Sequence, residues 1–171
     1  MEVVRDPSDL VARHLAGERQ ALVGLVRAVR DRLEHHAGQM LAGLPPARAR
    51  ELTDDLLDHA VARIRRGLKD IPPQTARDYY ALTTDQIRRN LRDLALRQRP
   101  APGFDRWAAL HEAAGSLPTD QRDVFGITFY HGRPRAAAAQ VLGADGRTVH
   151  ALWVRACLRL HAAVGGQLPG D

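Results

Sequence analysis

Residues 136–160 read "AAAAQVLGADGRTVHALWVRACLRL", and the spacing inside this stretch decides the fold. Ala139 is followed four residues on by Gly143 and six further on by Val149. A small side chain where two helices cross, a residue tolerant of positive φ in the turn, and a β-branched residue pinning the second helix to the first are the parts of a helix-turn-helix. The second helix is expected from Asp145 to Val164, burying Val149, Trp153, Ala156 and Leu160. Helical hairpins with a glycine turn occur throughout all-α proteins, so the stretch fixes architecture more firmly than role.

Helical periodicity dominates the rest of the chain, and no alternating stretch is long enough for a strand, so the fold class is all-α. A first helix is expected from Pro7 and Ser8 to about Leu41, with Leu22, Leu25, Val26, Val29 and Leu33 inward, and "GLPPARAR" ends it. Thr53 is placed as the N-cap of the next helix, with Asp54 and Asp55 at the positive end of its dipole and Leu56, Leu57, Ala60, Ile64 and Leu68 as its buried stripe. Thr75 caps a third helix that turns Ile87, Leu91 and Leu94 inward and carries Arg88, Arg89, Arg92, Arg97 and Arg99 towards its far end. Of Tyr79 and Tyr80, one is expected in the core and the other partly exposed. "PAPG" at 100–103 denies helix continuation, which places two small helical domains at 1–99 and 104–171 with 100–103 as a short linker.

Of the 171 residues, 44% are hydrophobic and 26% charged, the balance of an ordinary globular protein. The formal charge of +5 is almost wholly arginine, since Lys69 is the one lysine, and the planar guanidinium fork suits phosphates and carboxylates. Arginine-rich usage is equally a product of genomic base composition, so charge alone leaves the partner open. Cys157 is the sole cysteine, which excludes an intrachain disulfide. No cationic leader runs into an apolar segment and no stretch approaches the roughly 18 apolar residues of a membrane span. A cytoplasmic protein without a membrane partner is therefore expected.

Upstream of the helix-turn-helix stands "LPTDQRDVFGITFYHG" (117–132), followed by "RPRAAAAQVLGADGRTVHALWVRACLRLHAAV" (133–164). Together these resemble region 4 of bacterial RNA polymerase sigma factors of the extracytoplasmic-function type, in the sigma-70 family. Asp54, Asp55, Leu56 and Leu57, with the later run Ile87, Arg88, Arg89, Leu91, Asp93, Leu94 and Ala95, are similar to region 2 of the same family. The resemblance covers most of the chain. It implies a non-enzymatic factor whose region 2 bundle and region 4 helix-turn-helix bind core RNA polymerase and promoter DNA, with an anti-sigma factor as a further partner.

Carried over residue by residue, the resemblance implies polymerase binding by Asp54, Asp55, Asp58 and His59. The loop "LKDIPPQTARD" (68–78) stands where the family captures a flipped base, with Arg88, Arg89, Asn90 and Arg92 along the displaced strand. Arg147, Thr148, His150 and Arg155 stand where region 4 reads DNA. Here the chain departs from the family, with His150, Ala151, Leu152 and Val154 where lysine or arginine is common, and Asp58 and His59 where glutamine and glutamate are frequent. Residues 100–171 hold seven arginines against six acids, while residues 1–99 carry a net +4. The flexible part around the linker, about five residues, spans at most ~18 Å at ~3.5 Å per residue, against promoter elements more than one ~34 Å turn apart.

Two rival functions stay open on sequence. One is an interaction module presenting Ala151, Leu152 and Val154 to a protein; the other is a helix-turn-helix regulator acting without polymerase. No cofactor is expected. Cys157 and His161 share a helix face but supply two of the four ligands a structural zinc takes, so Cys157 reads as a buried apolar residue and no metal is expected. His35 and His36 are expected in solvent, and no phosphate loop or nucleophile elbow is present.

Overall fold

The apolar stripes of the sequence become eight α-helices and one π-helical turn among the described residues, with no strand. The computed structural model describes residues 7–168. In chain order the elements are α1 (Pro7–Leu15), α2 (Arg19–Met40), α3 (Pro46–Asp70), α4 (Ala76–Arg97), α5 (Phe104–Gly115), α6 (Thr119–Phe125), the π-helical turn (Gly126–Tyr130), α7 (Arg135–Leu142) and α8 (Gly146–Ala163). The outermost residues of the two expected domains, 1–6 and 169–171, lie outside the described residues.

The single helix expected up to Leu41 is instead two, and the reason is Gly17. Its φ of +87° places it in the left-handed region just past α1, where the Gly17 amide donates to His14 O at 2.9 Å and the Glu18 amide to Arg13 O at 3.0 Å. That pair of reverse bonds is a Schellman stop, which glycine enters without steric cost. An Arg13 to Glu18 ion pair spans the turn. α2 then buries Leu25, Val26, Val29, Leu33, Ala37 and Met40 along one face.

α3 also begins seven residues earlier than Thr53. Pro46 occupies its first turn, where a missing amide hydrogen costs nothing, and the following "ARAR" consists of strong helix formers. Thr53 is consequently interior, its Oγ1 donating back to Ala49 O at 2.8 Å, and Asp54, Asp55 and Asp58 lie mid-helix rather than at a dipole end. The buried stripe Leu56, Leu57, Ala60, Ile64 and Leu68 stands as read.

Thr75 caps α4 as expected, in a reciprocal capping box: the Asp78 amide donates to Thr75 Oγ1 at 3.1 Å and the Thr75 amide to Asp78 Oδ2 at 3.0 Å. Both Tyr79 and Tyr80 are buried, each 2% exposed, because each packs at ring-contact distance of His131 from the far half of the chain. α4 packs against α2 and α3 and also against α5 and the π-helical turn. Buried apolar side chains form one cluster running from Val11 to Val164, so the core continues past the turn at 98–103.

Candidate nucleic-acid interface

Gly143 gives the helix-turn-helix its geometry. With φ +61° it ends α7 in a second Schellman stop, the Ala144 amide donating to Ala139 O at 3.1 Å. Two residues later Asp145 caps α8, accepting from the Thr148 amide at 2.9 Å and from Thr148 Oγ1 at 2.8 Å. These bonds, the backbone one foremost, hold the Asp145 carboxyl below its ordinary pKa. Val149, Ala156 and Leu160 are buried against the rest of the unit, and Trp153 stacks half-buried on Phe125 with ring centroids 5.7 Å apart.

Arg147, His150 and Arg155 are exposed on α8, while the Thr148 hydroxyl is occupied by the cap. Beside these polar side chains runs an apolar stripe at helical spacing: Ala151, Val154 at 40% exposure and Leu158 at 65%. A surface of this kind touches thymine methyls or another protein's apolar groups but cannot neutralise phosphate along its centre.

The α4 residues expected along a DNA strand separate into two sets. Arg89 is exposed and pairs with Asp85 at 2.9 Å. Arg88, by contrast, is 9% exposed, its NH1 donating to His111 O at 3.1 Å and its NH2 to Asp85 at 2.8 Å. Asn90 is buried as well, donating to Gln86 O at 2.7 Å. Arg92 is half-buried, held by Glu112 at 3.0 Å and Asp93 at 3.2 Å, and both carboxylates raise its pKa. In this arrangement Arg88 serves packing rather than a DNA surface, because α5 lies over the face of α4 from which it projects, while Asn90 lines a groove with Leu52, Asp55 and His59 of α3.

Asp54, Asp55, Asp58 and His59 are all exposed, but the ridge of α3 divides them. Asp54 and Asp58 line a groove with Arg30, Leu57, Val61, Arg65, Arg66 and Lys69. Asp55 and His59 line another with Arg63, Asp93 and Arg97, and His59 Nδ1 donates to Asp55 O at 2.7 Å. The cations of the first groove escaped the sequence reading although "RIRRGLK" at 63–69 announces all of them but Arg30. Arg30, Arg65, Arg66 and Lys69 make no ion pair with any described residue.

A further polar set joins α1–α4 to α5–α8. Arg32 donates to Tyr130 O at 2.9 Å and Phe129 O at 3.1 Å, and Arg77 pairs with Asp123 at 2.7 Å and Asp120 at 3.1 Å. His36, expected in solvent, is 2% exposed, with Nε2 at 3.2 Å from Tyr130 O, while His35 is exposed as read. His111 Nδ1 lies 2.7 Å from Tyr130 Oη. Burial, followed by neighbouring positive charge, pushes His36 down to about 4 and His111 to about 3, so both are neutral at pH 7. A cavity of about 290 Å³ opens along this seam beside Arg77, Thr84, Arg88 and Arg122.

Cys157 is half-buried, its thiol raised by that burial, and His161 is exposed. No group of three or more metal-ligating side chains occurs among the described residues. No helix among them is long and apolar enough to cross a membrane. Comparison with protein-family models, with characterised proteins and with solved structures gave no match.

Proposed function

We propose that the chain acts in transcription initiation as a sigma factor of the extracytoplasmic-function type, with 1–99 and 104–171 as its two working units and 100–103 as their joint. The observation that carries the reading is one chain holding two separate surfaces. One is the α7–α8 helix-turn-helix, with Asp145 capping the second helix and Arg147, His150 and Arg155 facing outward. The other is the exposed acidic stretch of α3, where Asp54 and Asp58 face one groove and Asp55 the next. That stretch offers carboxylates to cations of core polymerase, and exposed guanidinium groups offer charge to promoter phosphates. Affinity for polymerase and run-off transcription from genomic fragments test this directly. Specific transcripts that vanish when Asp54, Asp55 and Asp58 are replaced by alanine support it; no association with core polymerase at any salt concentration overturns it.

The stripe Ala151, Val154 and Leu158 favours a second reading, in which α8 meets a protein and recognition of the promoter's −35 element is weak or absent. Polymerase association without promoter selectivity is the outcome that separates this from the first. Specific DNA binding by the isolated chain, without polymerase, points instead to a regulator acting on its own.

A further inference from the structure

Alanines at 81 and 114 leave space between α4, the end of α5 and the π-helical turn, and this space is the cavity of about 290 Å³. Pockets for small molecules begin at about that size, ~300 Å³. Its apolar wall is largely aromatic, with Tyr80, Phe125, Ile127 and Tyr130 each at most 5% exposed. Ile127 and Tyr130 stand on the π-helical turn, a rare backbone form that occurs often at functional sites.

The polar wall is not fully engaged. Three arginines and two carboxylates line the cavity. Both carboxylates are taken: Asp123 pairs with Arg77 at 2.7 Å, and Asp85 with Arg88 at 2.8 Å and Arg89 at 2.9 Å. Arg122 makes no ion pair with any described residue, and its bond to Gly115 O is stretched to 3.5 Å. One positive charge is therefore left over. A buried hydroxyl lies in the same lining. Thr84 is 7% exposed, and its Oγ1 makes no hydrogen bond with any described residue, whereas Thr83 beside it donates to Tyr79 O at 2.7 Å. Buried hydroxyls are costly to leave unpaired. Gly126 keeps room for this one: its φ of −58° and ψ of −51° are ordinary helical values at which alanine is the better helix former, yet a Cβ there would lie 2.7 Å from Thr84 Oγ1.

We infer that this cavity binds a small aromatic carboxylate, whose anionic end is drawn to Arg122 and Thr84 and whose ring lies against the aromatic wall. A single surplus cation calls for a monoanion, and the planar guanidinium fork matches a carboxylate. A phosphate dianion would bring excess negative charge beside Asp85 and Asp123. The site requires no movement of the helices around it, and it stands whether or not the chain serves transcription.

The test titrates the full-length chain with benzoate, read by amide chemical shifts and by the thermal midpoint. Saturable shifts confined to residues 77–88 and 114–130 are expected, with a midpoint that rises with benzoate concentration. Arg122→Gln should weaken binding about tenfold and Thr84→Val about threefold, while Thr84→Ser, which keeps the hydroxyl, and Arg50→Gln, an exposed cation outside the cavity, leave it at parental strength. Benzamide, neutral and of the same shape, should bind about tenfold more weakly, and inorganic phosphate should not displace benzoate. No saturable shift with millimolar benzoate, shifts centred elsewhere, benzamide as tight as benzoate, displacement by equimolar phosphate, or parental affinity in Arg122→Gln each overturns the site. Should Thr84→Val lose helicity, Arg122→Gln and benzamide decide alone, since neither alters the core.

Discussion

Thr75 and Asp78 show how far two side chains govern a helix end. Each side chain accepts the other's backbone amide, so Thr75→Ala leaves the Asp78 amide without its partner and should lower stability by about 1 kcal/mol in chemical denaturation. Tyr130 and His111 form a buried polar pair whose environment is less forgiving. Tyr130→Phe strands His111 Nδ1 where water does not reach, at an expected cost of about 1–3 kcal/mol. His36 and His111 also set a pH dependence. The unfolded chain takes up their protons near pH 6.5, whereas the folded chain resists until about 4 for His36 and about 3 for His111. Their contribution is therefore complete above pH 6.5 and declines as pH falls through that window. Denaturation midpoints should drop steadily from pH 7 to 4, and the His36→Gln chain should show the shallower decline; equal slopes would remove His36 from the account.

Among the elements, α3 gives the sharpest expectation, because its ridge assigns Asp54 and Asp58 to one groove and Asp55 and His59 to another. If polymerase seats over α2 and α3, alanine at 54 and 58 should weaken core binding roughly tenfold while alanine at 55 and 59 leaves it near the parent, measured by titration at fixed salt. Periodicity made the buried faces of α2, α3 and α8 legible, since Leu25, Val29, Ile64 and Leu160 recur as a 3.6-residue helix requires. The break at Gly17 was not legible, because glycine inside a periodic run is tolerated as often as it stops a helix. Nor was the start of α3. Thr53 before two aspartates is a strong cap signal, and it lost to Pro46 and four good helix formers upstream. The helix-turn-helix was readable because Gly143 and Asp145 act locally. The burial of Arg88 and His36 depends on partners 23 and 94 residues away, and Asn90 sits beside Leu52 and Leu56 of α3, which no local pattern encodes.

For the whole molecule, the core that continues across the α4–α5 contact turns Arg88 inward and leaves Arg89 at the surface. Arginine substitutions should consequently divide by location. Arg89→Ala is expected to reduce oligo(dT) binding, and Arg88→Ala to act through stability instead, which parallel binding and thermal-denaturation curves would distinguish. Cys157 adds a convenience of its own. It is the sole sulfhydryl, half-shielded on α8 with Arg135 of α7 near enough to affect its charge. A chromogenic thiol reagent can therefore titrate one equivalent per chain, slowly while α7 stays docked and quickly once it lifts, so the colour's half-time becomes a clock for fraying at the very turn where the fold was first read.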